Sequence, residues 1–150
     1  MKPIFNVRVY GIVRNESDEV LLTDEFRMGM RMTKFPGGGL QFGEGLHDAL
    51  IREFREEMDL EAKVTGHYYT TDFFQASAFR DNEQLISIYY LADLENIATL
   101  ETSRKPFDFV HETDGAQAFR WVPRQDLHEA ALTFPIDQWV ASRLRAGWQL

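Results

Sequence analysis

The chain contains no cysteine, so disulfide bridges and thiolate metal sites are excluded at the outset. It has no apolar run approaching the ~20 residues that a bilayer-spanning helix requires. Its opening, Met1-Lys2-Pro3-Ile4-Phe5-Asn6, lacks the apolar stretch and small-residue cleavage site of a secretory signal. A cytoplasmic location is the expectation. Long basic runs are absent too, and the formal net charge is −8. Duplex nucleic acid is held mainly by neutralising its phosphates with Lys and Arg, so an acidic chain is not expected to bind it. Acidity of this size serves solubility in general. Only the positions of the carboxylates show whether some are gathered to hold cations.

What is present suffices for a core: 44% of the 150 residues are hydrophobic, twelve of them Phe, which argues against disorder and fits one domain over residues 1–150. Residues 5–13 are rich in β-branched and aromatic types and read as a strand. A polar turn at Arg14–Asp18 leads to a second strand over 19–23. Residues 24–34 read as a loop carrying Arg27, Arg31 and Lys34, and Pro36-Gly37-Gly38-Gly39 as a break in regular structure. From Leu46 to Met58, Leu46, Leu50, Phe54 and Met58 recur every fourth residue and mark a helix. Strands are expected over 63–74, 85–94 and 118–122, with irregular chain over 95–115. A last helix opens at Pro135, buries Ile136, Trp139, Val140 and Leu144, and stops at Gly147. Strands bracketing a central helix, with another helix at the end, indicate a mixed sheet covered on both faces.

The chemistry lies between Gly38 and Leu60. At spacings of three and four, Glu53, Glu56 and Glu57 share one side of the helix. Their mutual repulsion, and their place in the C-terminal half of the helix, both work against helix stability. A divalent cation removes that conflict, because hard oxygen donors on one rigid face suit magnesium or manganese. A solvated acidic face relieved by Arg52 and Arg55 is the competing reading of the helix taken alone. The preceding glycines add a backbone able to turn sharply and approach a ligand closely.

Gly38, five residues, Glu44, seven residues, then Arg52-Glu53-Phe54-Arg55-Glu56-Glu57 and Leu60 reproduce the spacing of the Nudix box. The chain resembles the Nudix hydrolases, and the strand order around the box extends the likeness over nearly its whole length. One position departs from the pattern: Asp59 stands where the family has Gly. Asp is among the few other residues that tolerate the left-handed conformation a helix end needs, so a small stability cost is expected there.

The resemblance implies an α/β fold, a Nudix-type α/β/α sandwich with a mixed β-sheet. It implies a Mg²⁺-dependent hydrolase, with Mn²⁺ as a substitute. The bond cut would be the pyrophosphate link of a nucleoside diphosphate joined to another group, as in a nucleotide triphosphate or a sugar nucleotide. By the same resemblance Glu53, Glu56 and Glu57 hold the metal with a carbonyl of Gly37 or Gly38. Arg52 orients the glutamates, and Glu44 supports the loop–helix junction or a water on the metal. The general base varies within the family and is here Glu53 or a later acid, Glu112. Arg27, Arg31 and Lys34 are candidates for the remaining phosphates. No cysteine nucleophile is available, and His47, His67, His111 and His128 show neither metal nor triad spacing. The implied partner is a small phosphorylated molecule, with a homodimer as in many members, and with no long nucleic acid and no membrane. A catalytically silent nucleotide sensor and a hydrolase of a non-nucleotide diphosphate are the alternatives. No marker of a substrate subfamily stands at Gln75-Ala76-Ser77.

Overall fold

A computed structural model describes residues 2–147. The chain forms two compact units, each assembled from separate stretches: residues 1–11 with 37–95, and residues 12–36 with 96–150. The expected α/β class is observed. Each unit contains one four-stranded sheet.

The first unit has the strand order β4-β1-β6-β5, from β1 (Ile4–Ile12), β4 (Gly37–Gly39), β5 (Ala62–Thr70) and β6 (Glu83–Leu94). Its helix, α1, spans Leu46–Met58, as the fourfold periodicity predicts. Leu50 and Phe54 are fully buried, each contributing roughly 1.5–3 kcal/mol of apolar burial. Phe54 fits closely because Gly11 of β1 has no side chain: a Cβ there would meet the ring at 2.5 Å. Asp59 ends α1 in the left-handed conformation, φ 55° and ψ 38°, and gives its N–H to the Arg55 carbonyl at 3.0 Å. The departure from glycine at this position thus preserves the helix stop.

The triple glycine behaves differently from the expected break. Gly37–Gly39 is a short strand paired antiparallel with β1, in the register Arg8 to Gly39, Val9 to Gly38 and Tyr10 to Gly37. Glycine is needed at position 37, where φ is +149° and a Cβ would collide with the Val9 carbonyl at 2.0 Å.

The second unit has the order β3-β2-β8-β7, from β2 (Glu19–Arg27), β3 (Met30–Lys34), β7 (Thr102–Ser103) and β8 (Ala116–Pro123). The pairing of β7 with β8 is parallel and the others are antiparallel, so the sheet is mixed. The loop expected over 24–34 is a hairpin instead. Its two turn residues, Met28 and Gly29, both have positive φ (50° and 72°), which matches the twist of the flanking strands. Met is a poor residue for that conformation, and it is held there by Asp114, whose carboxylate accepts the Met28 N–H at 2.8 Å. The helix α2 (Pro135–Arg145) starts with proline in its first turn and buries Ile136, Val140 and Leu144 as expected. Trp139 is only half-buried, with the Arg143 guanidinium 4.5 Å over its ring.

Candidate active site

The first turn of α1 follows directly on the loop after the glycine strand, so the two halves of the box meet through local chain geometry. Arg52 is the hub. Its Nε and Nη2 donate to both oxygens of Glu44, at 2.9 and 2.7 Å, and Nη2 also donates to the Gly39 carbonyl at 2.9 Å. Nη1 reaches Glu53 at 3.1 Å and Glu56 at 3.2 Å. The planar guanidinium thereby ties the glycine strand, the loop and two helix carboxylates into one rigid group. These partners, Glu44 foremost, raise the pKa of Arg52 and keep it charged. Glu44 also accepts the Gln41 N–H at 2.8 Å, and Arg52 together with this bond holds its carboxyl below the ordinary carboxylate value. Glu44 therefore braces the loop–helix junction, one of the two roles open to it in the sequence.

Glu53 is set by shape as well as charge. An ideal Cβ on Gly38 would lie 2.4 Å from its carboxyl carbon, so Glu53 lies against a backbone that only glycine provides. Its side chain is 14% exposed, that of Glu56 57%. Glu57 stands one helical turn beyond Glu53, with its Oε2 enclosed. Arg52, Glu53, Glu56 and Gly38 are thus brought together. Among the described residues, no three Asp, Glu or His side chains are gathered as tightly as a metal-holding group. Glu53 and Glu56 both lean on Arg52.

The model of the NUDIX domain matches residues 4–142. The chain belongs to the NUDIX family. Membership makes it a hydrolase of pyrophosphate bonds, in a family whose members use divalent cations and small phosphorylated substrates. Solved structures share the fold. The MutT protein of Methanosarcina mazei Go1 aligns with TM-score 0.70 and 19% identity, over 99% of this chain and 98% of its own. A NUDIX hydrolase from Nitrosomonas europaea gives 0.71 and 19%, over 99% and 92%. The E. coli ORF135 protein gives 0.67 and 22%, over 97% and 91%.

In this Nudix chain the remaining candidates lie in the second unit, and strand register separates them. Lys34 and Arg27 share a face of the hairpin and flank the buried Glu25, at 3.3 and 3.6 Å. Arg31 points to the opposite face, where it pairs with Glu112 and lies 5.1 Å over the Phe107 ring. Arg31 holds the Glu112 carboxyl below its ordinary pKa. Sequence reading missed the Gly39 carbonyl as an Arg52 acceptor. It also missed the Asp24–Arg120 pair, buried on the Arg31 face, because both residues fall on strands where alternation alone does not show which face is covered. No helix among the described residues is long and apolar enough to cross a membrane.

Proposed function

We propose that this Nudix hydrolase is Mg²⁺-dependent and cleaves the pyrophosphate bond of a nucleoside diphosphate joined to a further phosphate or a sugar. The observation that carries the reading is the fit of Glu53 against Gly38, with Arg52 fixing Glu53 and Glu56 from the side. The donor set suits a hard cation: three helix carboxylates, Glu53, Glu56 and Glu57, with a backbone carbonyl of Gly37 or Gly38 on the adjoining strand. When bound, a divalent cation screens the negative charge of the pyrophosphate and lowers the pKa of coordinated water.

The residues of this chain supply position and proton transfer. Arg52 holds the carboxylates in one orientation, as a residue supporting metal ligands does. Glu53 accepts the proton of the attacking water. Glu112, which pairs with Arg31 in the second unit, is the alternative base. In the second unit each candidate cation has a carboxylate partner: Lys34 and Arg27 pair with Glu25 on one face of the hairpin and Arg31 with Glu112 on the other.

The test is a panel of nucleotides, sugar nucleotides and dinucleotides with Mg²⁺, Mn²⁺ or chelator. Metal-dependent release of a mononucleotide is expected. Glu57→Gln and Glu53→Gln should each lower kcat by at least ~100-fold, and Glu112→Gln by less than ~10-fold. A Glu57→Gln enzyme at the wild-type rate would remove the metal assignment. Tight nucleotide binding with no product would identify a sensor instead.

A further inference from the structure

Six of the eight large hydrophobic side chains that stand exposed among the described residues belong to the first unit: Ile4, Phe5, Phe42, Phe73, Phe74 and Phe79. Scattered apolar residues are ordinary on a surface, whereas a gathered set is not. Backbone pairing gathers these at one end of the sheet. β1 and β6 begin there together, since the Ile4 N–H donates to the Asn82 carbonyl at 2.9 Å. The connection from β5 folds back along the first residues of β6: the Thr71 N–H donates to Ser87, the Leu85 N–H to Gln75 and the Ser77 N–H to Glu83. Phe73 and Phe74 lie where the chain bows out between the first two of these bonds, and Phe79 lies in the turn after the third. On the other side of β1, the Leu40 N–H donates to the Val7 carbonyl at 2.8 Å, so the chain leaves β4 at the same end. Phe42 follows two residues later, on a turn closed by the Glu44 N–H and the Gln41 carbonyl at 3.3 Å.

The size of the patch argues for what covers it. Phe5 and Phe74 are 69% and 71% exposed, and Phe42 is fully so. At about 200 Å² for a whole Phe side chain, the six residues leave roughly 700 Å² of apolar surface in water. The largest patch on a typical monomer is about 300–600 Å², and one side of a stable dimer covers about 800 Å². Charge argues the same way. The charged residues beside the phenylalanines, Lys2, Asp72, Arg80 and Asp81, are all exposed and carry both signs. A surface that meets a copy of itself across a two-fold axis needs both signs at its edge, because each edge faces its own image. An aromatic centre with a polar rim is the anatomy of such a contact.

We propose that this end of the first unit is the surface on which two copies of the chain pair about a two-fold axis, with the phenylalanines at the centre and the four charged residues at the rim. The test is sedimentation equilibrium of the whole chain at about 50 µM, above the micromolar Kd of the weaker interfaces of this size. The wild type should sediment at twice its 17.5 kDa. Phe42→Asp and Phe74→Asp each place one charge per copy in the pairing surface, where the two repel. Each should raise the dimer Kd at least ~100-fold and leave mostly monomer. Val110→Asp alters an exposed residue of the second unit and should stay dimeric. Should either aspartate variant fail to fold, Phe74→Gln decides by the same criteria, with Kd raised ~10-fold or more. A monomeric wild type would overturn the proposal, and its flotation with phosphatidylcholine vesicles would assign the patch to a lipid surface instead. A dimer left intact by both phenylalanine variants would overturn it too, since the contact would then lie elsewhere. No arm of the test depends on catalysis, so the pairing surface stands or falls apart from the hydrolytic reading.

Discussion

Glu53 occupies the volume that a side chain at position 38 would need: the shortest approach of an added Cβ to its carboxyl is 2.4 Å. Real Cβ contacts are never that close, so Gly38→Ala must displace the glutamate or the strand. The displaced side chain also leaves Arg52, its partner at 3.1 Å. Overpacking of this kind costs about 1–3 kcal/mol. Turnover should fall far more than stability does, by ~100-fold or more if Glu53 is the base. Gly39→Ala is the control, since its Cβ would meet nothing closer than 3.7 Å. Kinetics and urea unfolding on both variants separate geometry from folding. Equal rates in the two would show that the fit at Gly38 is irrelevant to turnover.

At the other end of α1, Asp59 holds a left-handed conformation that costs a non-glycine residue roughly 1–2 kcal/mol, and its charge sits at the negative end of the helix dipole. Glycine removes both penalties but adds freedom to the unfolded chain. Asp59→Gly should therefore stabilise by about 1 kcal/mol, or about 2–4 °C in Tm for a chain of this size. Turnover should not change, because Asp59 takes no part in the carboxylate group. A variant melting below the wild type would show that the aspartate makes a compensating interaction.

The parts of the structure legible in the sequence are those set by short-range spacing. Leu50, Phe54 and Met58 mark α1 because a helix repeats within four residues, and the box can be read because its glycines and glutamates lie on one continuous segment. Register is what the sequence conceals. Arg27, Arg31 and Lys34 look alike in a polar stretch, yet the Met28-Gly29 turn puts Arg31 on one face and the other two on the opposite face. That turn depends on Asp114, 86 positions away, and no local rule points to it. Three glycines in a row suggest flexibility, and they form a strand because Gly37 lets the Val9 carbonyl approach where no other residue would.

Charge pairing makes a pH signature testable in the second unit. Glu19 accepts hydrogen bonds from Arg104 at 3.0 Å and from Asn15 at 2.9 Å. These partners, Arg104 foremost, hold its carboxyl below the ordinary value of 4.5. Between the folded and unfolded pKa values the unfolded chain binds more protons, so stability rises with pH through that window. The contribution is complete above the ordinary value and is lost as pH falls through the folded one. Glu19→Gln should cost about 1 kcal/mol at neutral pH, because Arg104 is largely solvated. The gap from wild type should close as pH falls through the lowered folded value. A gap that stays constant would mean the loss is one of packing.

Breaking the buried pair of Asp24 and Arg120 should cost more stability than breaking the Glu19 pair. Asp24 is 1% exposed and accepts two bonds from Arg120 at 2.9 Å, one from Thr33 at 2.7 Å and one from the Phe107 N–H at 3.0 Å. Arg120→Ala leaves a desolvated carboxylate without its counter-charge, a change that costs about 3–5 kcal/mol. Double replacement by Asp24→Asn and Arg120→Met removes the charge conflict and should recover part of the loss, as seen in urea midpoints at constant slope. The bond to Phe107 gives a second readout. This residue has φ +54°, strained for a phenylalanine, and the Asp24 carboxylate is what holds its N–H. Hydrogen exchange at the Phe107 amide should therefore accelerate in Asp24→Ala beyond the global loss of stability. Exchange that only tracked the global change would show that the strand network and the 103–109 segment unfold as one.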